Sequence, residues 1–283
     1  MCSYSLGLYE KSMPHSLTVR EKLENTKKSG FDFLEISIDE TDEKLSRLYW
    51  TAAERKEVNA ATADIGIPLG SMCLSGHRKY PLGSTDPETR QKSLDIMARA
   101  IALACDCGIR IIQLAGYDVY YEAGTEQTRT FFAENLAKCV EMAAKSGVVL
   151  AFETMETPFM DTVEKAMHYV SEIRSPYLQI YPDLGNLSNA AALYGHDLDG
   201  DIRTGRGHIA ALHIKEASAG RYRDVPYGTG TVDFPLGIGA AWQQGVRRYV
   251  GEFWDNGSYQ AQIDHAHGFL RKFLDEMEAK SCT

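Results

Sequence analysis

The sequence predicts a (β/α)8 barrel, and three observations carry that reading. Short apolar runs alternate with longer amphipathic segments from end to end, the runs number eight, and the last four each close on one ionisable residue. The runs are 5–9 (SLGLY), 31–38 (FDFLEISI), 68–75 (PLGSMCLS), 109–115 (IRIIQLA), 148–154, 178–183, 209–215 and 248–254. Their Val, Ile, Leu and aromatic content suits parallel strands buried on both faces. Between and after them, segments 17–29, 51–65, 87–107, 126–146, 161–173, 196–205, 233–244 and 259–279 have apolar residues three or four apart, the spacing of a helix with one buried face. Thr51, Asp86 followed by Pro87, and Thr125 are helix-start signals. Gly30, Gly66, Gly108, Gly147 and Gly245 stand where helices close before the next strand. Eight units without a linker or low-complexity segment make one barrel domain over residues 1–283. An open doubly wound sheet is the alternative, and it does not usually need eight such regular units.

Composition narrows the partners. The chain is 44% hydrophobic and 24% charged, ordinary for a globular protein with a sizeable core. Its net charge of −9 argues against nonspecific binding to nucleic acid or to an anionic membrane surface. No run reaches the ~18 apolar residues of a membrane span. The N-terminus lacks a basic start followed by an apolar core, so a cytoplasmic location is expected. Cys2, Cys73, Cys105, Cys107, Cys139 and Cys282 are scattered without metal-binding spacing and read as reduced thiols.

Strand parity places the chemistry. Alternate strand residues face the barrel interior and the surrounding helices. In FDFLEISI the aliphatic Leu34, Ile36 and Ile38 take the helix side, which turns Glu35 and Ser37 inward. The same alternation turns Cys73, Ser75 and His77 inward beside helix-facing Met72 and Leu74, and Gln113 inward beside Ile112 and Leu114. It groups Glu153 with Ala151, Asp183 with Tyr181, His213 and Lys215 with Ala211, and Glu252 with Val250. Thirty residues separate Glu153 from Asp183 and Asp183 from His213, and 39 separate His213 from Glu252. About 30 residues is one strand-helix unit, so the four side chains sit side by side at the C-terminal end of the sheet, where barrel active sites are built.

A lone carboxylate at a strand end is as readily a helix cap or a surface ion pair. Four inward ionisable groups on consecutive strands are different, because buried charges are costly unless paired or metal-bound. Three carboxylates and an imidazole suit one divalent cation, Mn, Mg, Co or Zn, rather than a structural zinc site. A cation on a ketone oxygen and its neighbouring hydroxyl oxygen acidifies the carbon-bound proton between them and stabilises the enediolate. Glu153 and Glu252, at the two ends of the ligand arc, could take that proton from one face and return one to the other. The result is inversion at one carbon with no nucleotide cofactor.

The segments SMCLSGHRKYPLGS, IQLAGYDVYY, YPDLGNLS, GHIAALHIKE and VPYGTGTVDF resemble those of the L-ribulose-5-phosphate (L-xylulose-5-phosphate) 3-epimerases, within the xylose-isomerase-like TIM barrels. The likeness runs from LGLYEKSMP to the closing helix. It implies a sugar-phosphate 3-epimerase of pentose or ascorbate catabolism, working as a homodimer. It also implies a divalent metal on Glu153, Asp183, His213 and Glu252, with the two glutamates as acid and base. Related epimerases of free ketoses carry a His three residues after the metal Asp, whereas this chain has Asn186, which leans towards a phosphorylated substrate. Glu35, His77, Arg78, Gln113, Asn186 and Lys215 are the candidates to bind that substrate, with Arg221 and Arg223 in the long loop after the seventh strand as further cations. For each basic residue a solvated surface position is the simpler reading. YGTGT at 227–231 lacks the GK[ST] of a P-loop and reads as a tight turn or lid hinge.

Rival activities on the same scaffold are a 1,2-aldose-ketose isomerase, a metal-dependent sugar dehydratase, and phosphodiester cleavage of the endonuclease IV kind. The last needs a His-rich multi-zinc cluster and a basic groove, and this acidic chain places only His77 and His213 near the site. A noncatalytic sugar-phosphate sensor would need no carboxylate pair.

Overall fold

The computed structural model describes residues 3–281, so Cys2 and Cys282 lie outside the described residues. Eight strands form one sheet: β1 (Ser5–Tyr9), β2 (Phe33–Ile38), β3 (Leu69–Leu74), β4 (Ile111–Ala115), β5 (Val149–Glu153), β6 (Leu178–Ile180), β7 (Leu212–Ile214) and β8 (Arg248–Gly251). Their order is β6-β5-β4-β3-β2-β1-β8-β7, and every neighbouring pair is parallel. The barrel closes between its two shortest strands by isolated parallel bridges, Ile180 to Ile209 and Asp183 to His213. Backbone amides of Ala210 and His213 donate across this seam to Ile180 and Pro182, each at 2.8 Å. Two of the four expected ligands are therefore direct partners across the closing seam.

The outer layer comprises α1 (Val19–Lys28), α2 (Asp42–Ser46), α3 (Ala52–Ile65), α4 (Pro87–Asp106), α5 (Glu126–Ser146), α6 (Val163–Ile173), α7 (Leu184–Tyr194), α8 (Leu198–Thr204), α9 (Phe234–Gln243) and α10 (Tyr259–Ser281). The expected starts are present: Thr51 and Thr125 cap in reciprocal boxes, and Asp86 caps α4 with Pro87 in its first turn. Gly66 and Gly147 close α3 and α5 in the left-handed conformation that a Cβ disfavours. Two helices depart from the sequence reading. The short α2 lies in the connection after β2, and α7 fills a segment to which the sequence reading assigns no helix. Gly185, Asn186, Ser188 and Asn189 make α7 a poor helix by propensity. It is held instead by Leu184, Leu187 and Ala190, which are buried in the core, and by its cap, Asp183.

The parity expectation holds through the core. Leu34, Ile36, Ile38, Met72, Leu74, Ile112 and Leu114 pack outward against the helices. Tyr9, Phe33, Cys73, Ala151, Tyr181, Ala211 and Val250 form a separate cluster inside the barrel. Phe33 fills the interior at the N-terminal end of β2. A Cβ on Gly7 or Gly70 would come within 2.2 Å of its ring, so these two bare backbones make the room it occupies. With apolar groups on the floor, the polar side chains stack upward from mid-strand to the C-terminal rim.

Candidate metal and active site

Glu153 ends β5, Asp183 caps α7 just past β6, His213 is central in β7 and Glu252 directly follows β8. All four are buried, and one ligand atom from each can be chosen so that the atoms lie within 4.8 Å of one another. His213 Nδ1 faces Glu252 Oε2 at 3.2 Å and Glu153 Oε1 at 3.8 Å. Its Nε2 faces Glu35 Oε1 at 2.6 Å. That orientation presents Nδ1 to a cation and gives the Nε2 proton to a carboxylate, the arrangement that fixes tautomer and ring angle in many metal-binding histidines. Asp183 Oδ1 accepts from the Asn186 amide at 2.6 Å and from Lys215 Nζ at 3.2 Å. Its Oδ2 is buried without a partner, and an acceptor so placed suits a cation.

The electrostatics point the same way. Burial and the adjacent Glu252 carboxylate push Glu153 up to about 8. Burial, only partly offset by Lys215, pushes Asp183 up to about 7. Burial also raises Glu252, but the Lys215 ammonium and the His213 imidazole outweigh it and hold this carboxyl well below the usual range. His213 resists its burial because Glu35 and Glu252 favour the imidazolium, so its pKa stands well above the ordinary histidine value. The metal-free cluster thus retains protons where it could instead share a divalent charge. Oxygen and imidazole donors fit such an ion.

The other expected residues divide into three places. Arg78, Asn186 and Lys215 line the cleft above the four ligands, together with Trp254. Lys215 Nζ reaches Asn186 Oδ1 at 2.9 Å, while Asn186 Nδ2 donates to the Thr154 carbonyl at 2.8 Å, so the amide pins the ammonium over the cluster. Glu35 and Gln113 lie below the cluster rather than on the cleft wall. Glu35 Oε2 accepts from Ser71 at 2.5 Å and Tyr181 at 3.0 Å, and Gln113 Nε2 lies 3.1 and 3.2 Å from the two ring nitrogens of His213. Both contact the imidazole, and neither lines the cleft.

His77 is the correction. It falls in a 3-10 turn (Gly76–Arg78) after β3, where strand parity no longer applies. Its Nε2 is 3.1 Å from the Ser93 carbonyl of α4, and burial lowers its pKa to about 4, leaving a neutral ring turned away from the cleft. Sequence reasoning missed Lys11 and Glu156 on the cleft wall. Lys11 lies two residues past the end of β1, at the same C-terminal rim as the ligands, and that position was its available signal. The YGTGT turn is anchored: Glu216 accepts backbone amides from Gly228 at 2.9 Å and Val232 at 3.2 Å.

The chain belongs to the xylose isomerase-like TIM barrel family, whose model matches residues 23–273, and it is an enzyme of the isomerase class. It is 44% identical over 250 residues to the L-ribulose-5-phosphate 3-epimerase UlaE of Escherichia coli SMS-3-5, covering 88% of this chain and 87% of that protein. Identity to SgbU of Escherichia coli K12, provisionally given the same activity, is 48% over 240 residues, covering 83% of this chain and 82% of that one. A solved L-ribulose 3-epimerase superposes with a TM-score of 0.79 at 22% identity, over 98% of this chain and 97% of the other, a likeness of fold. No helix among the described residues is long and apolar enough to cross a membrane.

Proposed function

We propose that the protein is a metal-dependent epimerase that interconverts L-ribulose 5-phosphate and L-xylulose 5-phosphate by inverting C3. The observation that carries the reading is the pairing of Glu153 and Glu252 in one buried cluster with Asp183 and His213. Glu153, Asp183, His213 and Glu252 would hold a divalent cation, which would supply Lewis-acid polarisation to the substrate.

This chain's own residues do the rest. Glu153 and Glu252 reach the cluster from β5 and β8, on either side of the seam that carries Asp183 and His213. One carboxylate takes the C3 proton and the other, protonated, returns a proton to the opposite face, exchanging roles with the direction of reaction. Lys215, buried over the cluster, places a fixed positive charge beside the oxygens that gain negative charge as the proton leaves. Trp254 walls the cleft and limits water at the carbanionic carbon. The Asn186–Lys215 contact holds the ammonium in place.

Incubating the metal-loaded protein with L-ribulose 5-phosphate and following the product by NMR tests this directly. L-xylulose 5-phosphate is the expected product. An aldopentose phosphate would instead indicate 1,2-isomerisation, and loss of water a dehydratase.

A further inference from the structure

We infer that Arg78 and Arg223, with Lys11 beside them, form an anion seat on the rim of the cleft. It takes the phosphate of the substrate and selects phosphorylated over free ketoses. The inference rests on the function proposed above and adds the residues that recognise the end of the sugar remote from the reacting carbon.

The seat is built from loops after β1, β3 and β7 that converge on one cleft. Both arginines have donors to spare. Glu40 stands 4.0 Å from Arg78 and Glu156 stands 3.9 Å from Arg223, each beyond hydrogen-bond distance. Arg78 Nε is buried with no acceptor, a costly state for a charged donor unless a ligand fills it. Aromatic faces hold both guanidinium groups: Arg78 lies 4.5 Å from the Tyr120 ring centroid and Arg223 5.2 Å from that of Trp254. Planar, pre-positioned forks of this kind match the oxygens of a phosphate dianion. Glu156 connects the two, since it also accepts from the Tyr120 hydroxyl at 3.3 Å. Lys11 is committed to Asp39 at 2.6 Å and adds charge more than hydrogen bonds.

The remaining cations are excluded by their contacts. Arg221 spends its guanidinium on the carbonyls of Arg223 and Asp224. Lys79 is turned to Asp42 and half exposed. Lys215 is engaged deeper, with Asp183 and Asn186. Separation also matters electrostatically. The dianion would be repelled by the carboxylates of the four-residue cluster, and C5 lies two carbons from the inverting C3, so a rim seat lets the phosphate bind away from them.

The test compares Arg78→Met and Arg223→Met with the parent, all metal-loaded, on L-ribulose 5-phosphate and on L-ribulose, with inorganic phosphate as inhibitor and as calorimetric titrant. Arg223 is about half exposed, so its variant tests the seat even if Arg78→Met folds poorly. Each variant is expected to lower the ratio of kcat/KM for the ester to that for the free ketose by about 10- to 100-fold, mainly through KM, and to weaken phosphate binding by a similar factor. An unchanged ratio with undiminished phosphate binding overturns the seat. If the parent epimerises neither sugar, the functional reading fails. Calorimetry still decides the seat: phosphate binding weakened in both variants supports it, and binding equal to the parent's overturns it.

Discussion

Glu35 shows how a single residue's role depends on depth in the barrel. It is inward-facing as parity requires, yet it lies under His213 and off the cleft wall, with one oxygen on the imidazole and the other on two hydroxyls. In the proposed metal site it would orient the His213 ring, with Nδ1 towards the cation. Glu35→Gln is expected to weaken divalent-metal binding by about 10- to 100-fold. Isothermal calorimetry on the metal-free protein, alongside a thermal melt to confirm folding, measures the change. Affinity equal to the parent's would assign the imidazole's orientation to Gln113 and backbone packing instead. Asp183 carries two tasks at once, capping α7 with Oδ1 while offering Oδ2 to the cluster.

At the scale of elements, the catalytic face is braced beside the site by one buried carboxylate. Glu10, in the turn after β1, meets Lys22 of α1 at 3.0 Å, Lys44 of α2 at 3.0 Å and Arg47 at 2.6 Å, and it also accepts from Ser37 of β2. These cations hold its pKa well below the usual carboxylate range despite full burial. Removing the anion leaves three neighbouring buried cations, so Glu10→Ala is expected to cost about 3–5 kcal/mol of stability. Urea unfolding reads that loss; a change under about 1 kcal/mol would mean that the cations relax into solvent. This cluster was not legible in the sequence, because its members come from separate elements with no shared spacing. The barrel was legible, since period and capping are local properties: β1 was bounded to the residue, and Thr51, Asp86 and Thr125 marked their helices. The four clustered side chains were legible because parity and the thirty-residue repeat survive folding. What failed lies past strand ends, where chain direction is set by tertiary contacts. His77 turned to α4, Lys11 turned into the cleft, and α7 formed against its own propensity.

For the whole molecule, the cluster ties stability to pH and, under the proposed function, to metal. Glu153 and Asp183 have folded-state pKa values raised to about 8 and about 7, and that of His213 is raised as well. Without metal, the folded state therefore binds more protons than the unfolded state up to about pH 8, and stability falls as pH rises through that range. Below about 6.5 the lowered His77 acts in the opposite sense, and above about 8 the lowered Lys44 does so. The clean window is pH 6.5 to 8. There the melting temperature of the metal-free protein is expected to fall, while a saturating divalent cation removes the decline by displacing the protons. Calorimetric scans with and without metal test this, and parallel curves would mean that the cluster binds no ion.

The most direct test of the two-glutamate account is solvent exchange by the metal-loaded single variants Glu153→Gln and Glu252→Gln in D2O. Each epimer of the pentulose phosphate is supplied separately and its C3 proton followed by NMR. Both variants should lose epimerisation by several orders of magnitude. One should still exchange the C3 proton of L-ribulose 5-phosphate only, and the other that of L-xylulose 5-phosphate only, because each retains the base for one face. If the same variant exchanges both epimers and the other exchanges neither, a single base serves both faces and the account is contradicted.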